Sequence, residues 1–368
     1  MYKVLAFHIF ECKPFGNGGE RREAQLDEIY REVGVTRRYY GMHRIPLTIG
    51  MWLRSVRLIA QSQNRVIFRH IFTHPKAVYH YIKSWAWNVD ELRSFFKTDD
   101  NMFVYEGSAA YHYPVVEEAF RRKKKVVAVM HNIESLVPGC KSVVTQHYAP
   151  ADFQNEVNLL RKCEIVFMIS REETWLMRLY GVNAYYLPYY PAKECREWLL
   201  QIRAAREQMT QKSKRTFLVI GSAINAPTAS GMQQLADYAA ESQQNVELRI
   251  GGYGTAQHIH IPNDYKNVVL LGELSQEQLT REMVECNAIL INQPPTTGAL
   301  TRIVEAEIAG VPVVANTDSM RDYFNIPGIY EYRTMDELKD VLSRDLQMPA
   351  IPLRPDSKLF IKAIQKTK

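Results

Sequence analysis

Short apolar runs rich in β-branched residues recur along the whole chain, each separated from the next by a stretch long enough for an amphipathic helix. In the first half the candidate strands are Val4–Phe10, Met102–Tyr105, Val126–Met130, Ile165–Ile169 and Tyr185–Leu187. The second half offers Thr216–Ile220, Val246–Ile250, Val268–Leu271, Ala288–Ile291 and Val311–Ala315. Several are apolar without alternation, as parallel strands covered on both faces must be. Strands alternating with helices mean βαβ units and a doubly wound sheet. The count is too high for one ordinary sheet. A seam lies between Pro191 and Arg215, where "LPYYPAKE" gives way to a polar helix over Glu194–Met209 and the loop "TQKSKR". The expected fold is α/β, with two Rossmann-like, doubly wound parallel-sheet domains facing a cleft, where such sheets bind ligands. The expected divisions are 1–190, a linker helix and loop at 191–215, a second domain at 216–345 and a tail at 346–368 that packs back on the first domain.

At 368 residues the chain can bury two cores, and its 46% hydrophobic and 23% charged residues are those of a globular protein. The five cysteines are scattered, odd in number and never spaced C-x-x-C, which argues for a reducing compartment and against a disulfide framework or zinc ribbon. The run after Lys3 breaks at Glu11 without a cleavage site, and no apolar run approaches the roughly 20 residues that span a bilayer. A cytoplasmic protein is expected.

The net charge of +6 is unevenly spread. Between Glu32 and Asp90 there is no carboxylate, while Arg37, Arg38, Arg44, Arg54, Arg57, Arg65, Arg69, Lys76 and Lys83 stand among Trp52, Trp85, Trp87 and several Tyr. This reads as a basic, mostly helical insertion at about 37–97, its core at Ile45–Asn88 outside the strand–helix alternation. Residues 37–88 suit the headgroup region of an anionic membrane. The bland alternative is an insertion folded on the core with its charges solvated.

One stretch concentrates chemistry: "TTGALTRIVEAEIAGVPVVAN", Thr296 to Asn316. A helix is expected to begin near Gly298 or Ala299, placing Gly298, Arg302 and Glu305 on one face. Its free N–H groups suit a phosphate, Gly298 allows close approach, Arg302 adds a charged donor, and Glu305 can accept from a ribose diol. The competing reading is an Arg302–Glu305 ion pair on a solvated face.

The same stretch resembles the donor-binding signature of family 4 glycosyltransferases, Glu-x7-Glu followed by Ala and Gly-x-Pro-Val-Val, at Glu305, Ala306 and "GVPVV". Other stretches resemble that family in order: "PFGNGGERREAQLDEIYREVG", "VVAVMHNIE", "EIVFMISREETWLMRLYGVNAYYLPYYP", "FLVIGSAINAPTASGMQQL" and "VELRIGGYG". The resemblance implies the GT-B fold and transfer of a sugar from a UDP- or GDP-linked donor to an acceptor hydroxyl, with retention, in cell-surface polysaccharide or glycoconjugate synthesis. It assigns donor binding to Gly18, Gly19, Gly221, Ser222, Gly252, Thr297, Gly298, Ala299, Leu300, Arg302 and Glu305. Catalytic roles fall to His131, which lies near the donor sugar in the family, with Arg302 and Glu305. Glu106, Asn132, Glu134 and Ser170 are acceptor-side candidates. The resemblance also implies a lipid-linked or glycan acceptor and a place on the inner face of the membrane.

Two departures stand out. Thr297 occupies the position of the motif's first glutamate, and Ser222, Ala223 and Asn225 stand where a basic pair is usual. They motivate an alternative, a degenerate GT-B nucleotide-binding or partner subunit; a nucleic-acid-modifying glycosyltransferase is a further one, although a nucleic-acid partner is not expected. No Asp-x-Asp follows an apolar strand and the His258–His260 pair lacks a third ligand, so the expected chemistry uses no metal and no cofactor.

Overall fold

The computed structural model describes residues 2–8, 10–39, 46–97, 102–107, 110–137, 152–209, 215–241, 246–262 and 265–365. Twelve strands form two sheets among them. The first contains β1 (Tyr2–His8), β2 (Val35–Tyr39), β3 (Met102–Glu106), β4 (Lys125–Met130), β5 (Ile165–Met168) and β6 (Ala184–Tyr186), in the order β2-β1-β3-β4-β5-β6. The second contains β7 (Arg215–Ile220), β8 (Val246–Gly251), β9 (Val268–Gly272), β10 (Ala288–Ile291), β11 (Val313–Asn316) and β12 (Ile329–Tyr332), in the order β12-β11-β10-β7-β8-β9. Every adjacent pair is parallel. Relabelled from its own start, the second sheet has the dinucleotide-binding order 3-2-1-4-5-6, and the first begins as the 2-1-3-4-5 order does. The strand order therefore reverses between β7 and β10 in one lobe and between β1 and β3 in the other, and ligands are expected beyond the carboxyl ends of those strands.

Each sheet is apolar on both faces. Val4, Val104, Val127 and Phe167 face one way, and Phe7, Phe103, Tyr105 and Ala128 the other. The first group packs on Leu26, Ile29 and Tyr30 of helix Gly18–Glu32, and also on Phe360 and Ile364 of the C-terminal helix Lys358–Gln365. The tail thus returns to the N-terminal lobe, with the ring of Phe360 edge-on to Tyr30 and Phe167. Helix Lys193–Glu207 buries Cys195, Leu199 and Ile202 in the C-terminal lobe.

The basic segment is mostly helical and packs on the N-terminal sheet. β2 takes Val35–Tyr39, and helices Ile49–Ala60 and Pro75–Phe95 form the crossover from β2 to β3. Ile59, Ile67, Tyr81 and Trp85 are buried in one cluster with Phe103, Tyr105 and Val126 of the sheet. Arg37 lies inside the protein, its guanidinium bonded to Glu106 (2.8 Å) and Asp27 (2.7 Å) and set over the ring of Tyr30. A buried arginine needs such partners; they lie on other elements, so the run of cations reads as a surface.

Candidate functional site

β10 ends at the reversal point of the C-terminal sheet, and the loop after it leads into helix Thr301–Ala309. The helix starts two to three residues later than expected. Leu300 is its N-cap residue and no side chain caps the first turn. Gly298 lies outside the helix with φ +81°, a conformation costly for any residue with a Cβ, so it does not share a helix face with Arg302 and Glu305. Ala299 and Leu300 rest on the edge of the C-terminal core.

Arg302 Nη1 donates to the carbonyl of Ile220, the last residue of β7, at 2.8 Å. Its guanidinium thus stands over the reversal point. Burial pushes its pKa down to about 10, still charged at neutral pH. A Cβ on Gly221 would stand 2.5 Å from Nη1, and one on Gly252 would stand 2.0 Å from the Gly221 carbonyl. These two glycines make room for Arg302 and for their own backbones; the neighbouring Ser222 is half-buried.

Glu305 does not pair with Arg302. It forms a salt bridge with Arg21 of helix Gly18–Glu32 and accepts from Tyr189 Oη at 2.7 Å, so both partners come from outside its own domain core strands. The Gly298 amide, expected to be free for a phosphate, donates instead to Glu173 Oε1 at 2.8 Å. The same oxygen accepts the Ile133 amide at 3.0 Å. Further bonds join the lobes, from Arg321 to Glu172 (3.1 Å) and from the Arg171 amide to Asp322 (2.9 Å), while Arg321 also donates to the Gly298 carbonyl of its own lobe. The lobes are closed at this point, which is why a carboxylate from one reaches the loop of the other. Burial pushes Glu173 up to about 7, against the two backbone donors that hold its pKa down.

Polar atoms without a protein partner gather at this junction. Thr297 Oγ1, Arg302 Nε and Asp322 Oδ2 come from the C-terminal lobe, and Asn132 Oδ1 and Glu173 Oε2 from the N-terminal lobe. Buried polar groups are ordinarily satisfied, so a cluster left open points to a bound polar molecule or to water.

His131 follows β4, and its carbonyl lies 3.2 Å from where a Gly298 Cβ would be. Burial pushes the imidazole down to about 4, so it is neutral at pH 7. Its Nε2 is 3.3 Å from Glu23 Oε1. Glu106 is fully buried and does not face an open acceptor side: it accepts from Tyr30 Oη and Arg37, both at 2.8 Å. Burial raises Glu106 to about 8 and Glu23 to about 7. Ser170 is buried as the N-cap of helix Arg171–Leu179, accepting the Glu173 amide at 3.1 Å. Glu134 opens a turn whose amides at 134 and 135 donate to Glu156.

Gly18 and Gly19 are the first residues of helix Gly18–Glu32 and not a free loop. Asn17 caps that helix, taking the Gly19 amide at 3.0 Å, and a Cβ on Gly19 would collide with the Phe10 ring. Gly18 does face the other lobe, 3.7 Å from Thr301 Oγ1 by its would-be Cβ. The structure therefore gathers Gly18, His131, Asn132, Thr297, Gly298, Arg302 and Glu305 at one junction and leaves Glu106 beneath it. Sequence reasoning missed Arg21, Glu173 and Tyr189. The Ser170–Glu173 spacing has the form of a capping box, but the Glu173 side chain goes across the cleft instead of back to the cap.

Among the described residues there is no group of three or more His, Cys, Asp and Glu side chains arranged to hold a metal, and no helix long and apolar enough to cross a membrane.

Comparison with protein-family models and with curated protein sequences returns no match. Solved structures do match over nearly the whole chain. HepE of Anabaena in complex with UDP is similar at a TM-score of 0.58 and 12% identity, over 100% of this chain and 92% of that one. Sucrose-phosphate synthase of Thermosynechococcus elongatus is similar at 0.62 and 13%, over 94% and 89%. The UDP-forming α,α-trehalose-phosphate synthase of Burkholderia xenovorans, solved with glucose-6-phosphate, is similar at 0.55 and 12%, over 95% and 93%. At such identities the likeness speaks for the architecture alone: the chain has the GT-B fold of these glycosyltransferases.

Proposed function

We propose that the protein transfers a sugar from a nucleotide-sugar, UDP-linked in the first instance, to an acceptor hydroxyl. The observation that carries this is the set of unpartnered polar atoms from both lobes, gathered around an uncapped helix start and a buried arginine at the reversal point of the C-terminal sheet. A diphosphate fits there, because the first-turn N–H groups and Arg302 are donors without competing side chains. The same donors stabilise the negative charge that develops as the diphosphate departs. The acceptor oxygen replaces it on the sugar carbon, with retention and without a metal in the form the sequence resemblance implies. Glu305 serves the ribose once Arg21 turns from it to the phosphates, supplying charge that Ser222, Ala223 and Asn225 lack. The similar HepE structures were solved with UDP and with UDP-glucose, which supports the choice of nucleotide.

The test is nucleotide release from a panel of UDP- and GDP-sugars, alongside thermal shifts with UDP and GDP. Failure of every nucleotide to stabilise the protein at millimolar concentration overturns the reading. A second reading, nucleotide binding without turnover, is favoured by the salt bridge that occupies Glu305; binding with no release from any sugar would select it.

The acceptor side of the proposal is an anionic membrane surface at the cytoplasmic face, carrying a lipid-linked or glycan acceptor. Ile49, Leu53 and Val56 form an exposed stripe at i, i+4, i+7 on helix Ile49–Ala60, and Phe72 is 94% exposed. Trp52 stacks on Tyr79 of the next helix, and Lys83 lies over Tyr79 and Trp87. Arg57, Arg65, Arg69 and Lys76 are exposed around them. Apolar and aromatic side chains ringed by cations match an anionic headgroup layer.

A further inference from the structure

The junction has a feature that the donor reading leaves unused. Glu173 is 5% exposed, and its two carboxylate oxygens are unequal. Oε1 accepts two backbone amides, from Ile133 of its own lobe and Gly298 of the other, while Oε2 has no partner. Thr297, the residue before Gly298, also has an unpartnered hydroxyl, and the side-chain amide oxygen of Asn132 is likewise without a partner. The site of a Gly298 Cβ is 3.3 Å from the Asn132 Cβ, so these groups stand around one glycine. The open positions are acceptors, with the threonine hydroxyl able to act either way. Leaving such groups empty in a buried setting costs on the order of 1–3 kcal/mol each, so they are satisfied by water or by a molecule that presents several hydroxyl donors in a small volume. A pyranose ring does so; a diphosphate, which only accepts, does not.

We propose that Glu173, reaching from the N-terminal lobe, is the carboxylate that receives hydroxyls of the donor sugar, with Thr297 Oγ1 and Asn132 Oδ1 beside it. The assignment rests on the nucleotide-sugar reading above. It gives the carboxylate absent from position 297 a source in the opposite lobe. The sugar is then held only when the lobes meet, so closure and sugar recognition become one event. Because all three atoms are sealed from solvent here, the lobes must part to admit the sugar, breaking the Glu173–Gly298 bond and re-forming it around the ligand. Glu173 is a positioning residue in this scheme; it makes and breaks no covalent bond.

Titration calorimetry of the full chain with UDP and with UDP-glucose, UDP-galactose and UDP-N-acetylglucosamine reads the sugar-dependent gain, the ratio of the affinity of the best UDP-sugar to that of UDP. Glu173→Ala should cut that gain at least tenfold and leave UDP itself within about threefold. Glu173→Gln, which keeps the shape and one acceptor, should fall between. Moving the carboxylate, in the double variant Glu173→Ala with Thr297→Glu, should restore part of the gain, which a merely structural contact would not do. Equal changes in UDP and UDP-sugar affinity, no rescue by the relocated carboxylate, or no sugar-dependent gain in the unaltered protein each overturn the assignment while the nucleotide reading stands. Failure of all four ligands to bind overturns the assignment together with the UDP-linked form of the nucleotide reading.

Discussion

Replacing Arg302 by methionine preserves the length of the side chain and removes its charge. In the free protein one bond disappears, from Nη1 to the Ile220 carbonyl at 2.8 Å. A hydrogen bond with one charged partner contributes about 1.5–3 kcal/mol. Against it stands the cost of keeping the guanidinium in a site that pushes its pKa down to about 10 and leaves Nε without a partner. The two nearly offset, so stability should change by less than about 2 kcal/mol. A bound diphosphate has no such offset, because it loses a charged donor outright. About 1.5–3 kcal/mol then appears as a 10- to 150-fold weaker nucleotide. Calorimetry with UDP or GDP, whichever binds tighter, paired with urea unfolding, separates the two quantities. Gly221→Ala is an independent route, because its Cβ would stand 2.5 Å from Nη1 and must displace the guanidinium. Affinity within about threefold of the unaltered protein, with an unchanged unfolding midpoint, would refute the placement of phosphate beside Arg302.

Other perturbations follow from the same geometry. Phe360→Ala removes a fully buried ring set edge-on to Tyr30 and Phe167 and should cost about 3–5 kcal/mol in urea unfolding; a cost under about 1 kcal/mol would mean the tail does not fasten to the N-terminal lobe. Burial raises Glu106 from the ordinary carboxyl value of 4.5 to about 8 in the folded protein, so the folded state holds a proton the unfolded chain releases. Its contribution is therefore present at low pH and lost as pH rises through that interval. Glu106→Gln should flatten the fall in stability between pH 5 and pH 8, measured by unfolding at each pH, and an unaltered slope contradicts the burial argument. Leu53→Glu with Phe72→Asp should abolish flotation with vesicles containing phosphatidylserine and leave nucleotide affinity unchanged. Gly298→Ala, at φ +81° and against the His131 carbonyl, should hinder closure and raise KM for the donor; a KM equal to that of the unaltered protein would show that the loop does not close on the site.

Strands with uniform apolar character were legible as sequence, because a parallel strand covered on both faces carries its own signal. β2 was not, since "VTRRY" places a buried arginine in the sheet and its partners Glu106, Asp27 and Glu23 stand on other elements. β12, "IYEY", is an edge strand with an exposed glutamate, too short and mixed to stand out. The two helices over Ile49–Phe95 read as an excursion because their cations hide an apolar face that only the sheet explains. At the junction, Arg302 and Glu305 were found from local spacing. Their partners were not: Arg21 and Tyr189 reach Glu305 from 284 and 116 residues away, and Glu173 reaches Gly298 from 125. Local pattern names a helix terminus; it does not say which side chains the closing lobe brings to it.

Hydrogen–deuterium exchange with and without saturating UDP tests most directly whether a nucleotide lies between the lobes. The protein should gain protection in the segments 131–133 and 297–302, one from each lobe, with little change over 49–95. Protection confined to other segments, or none at saturation, would contradict the account.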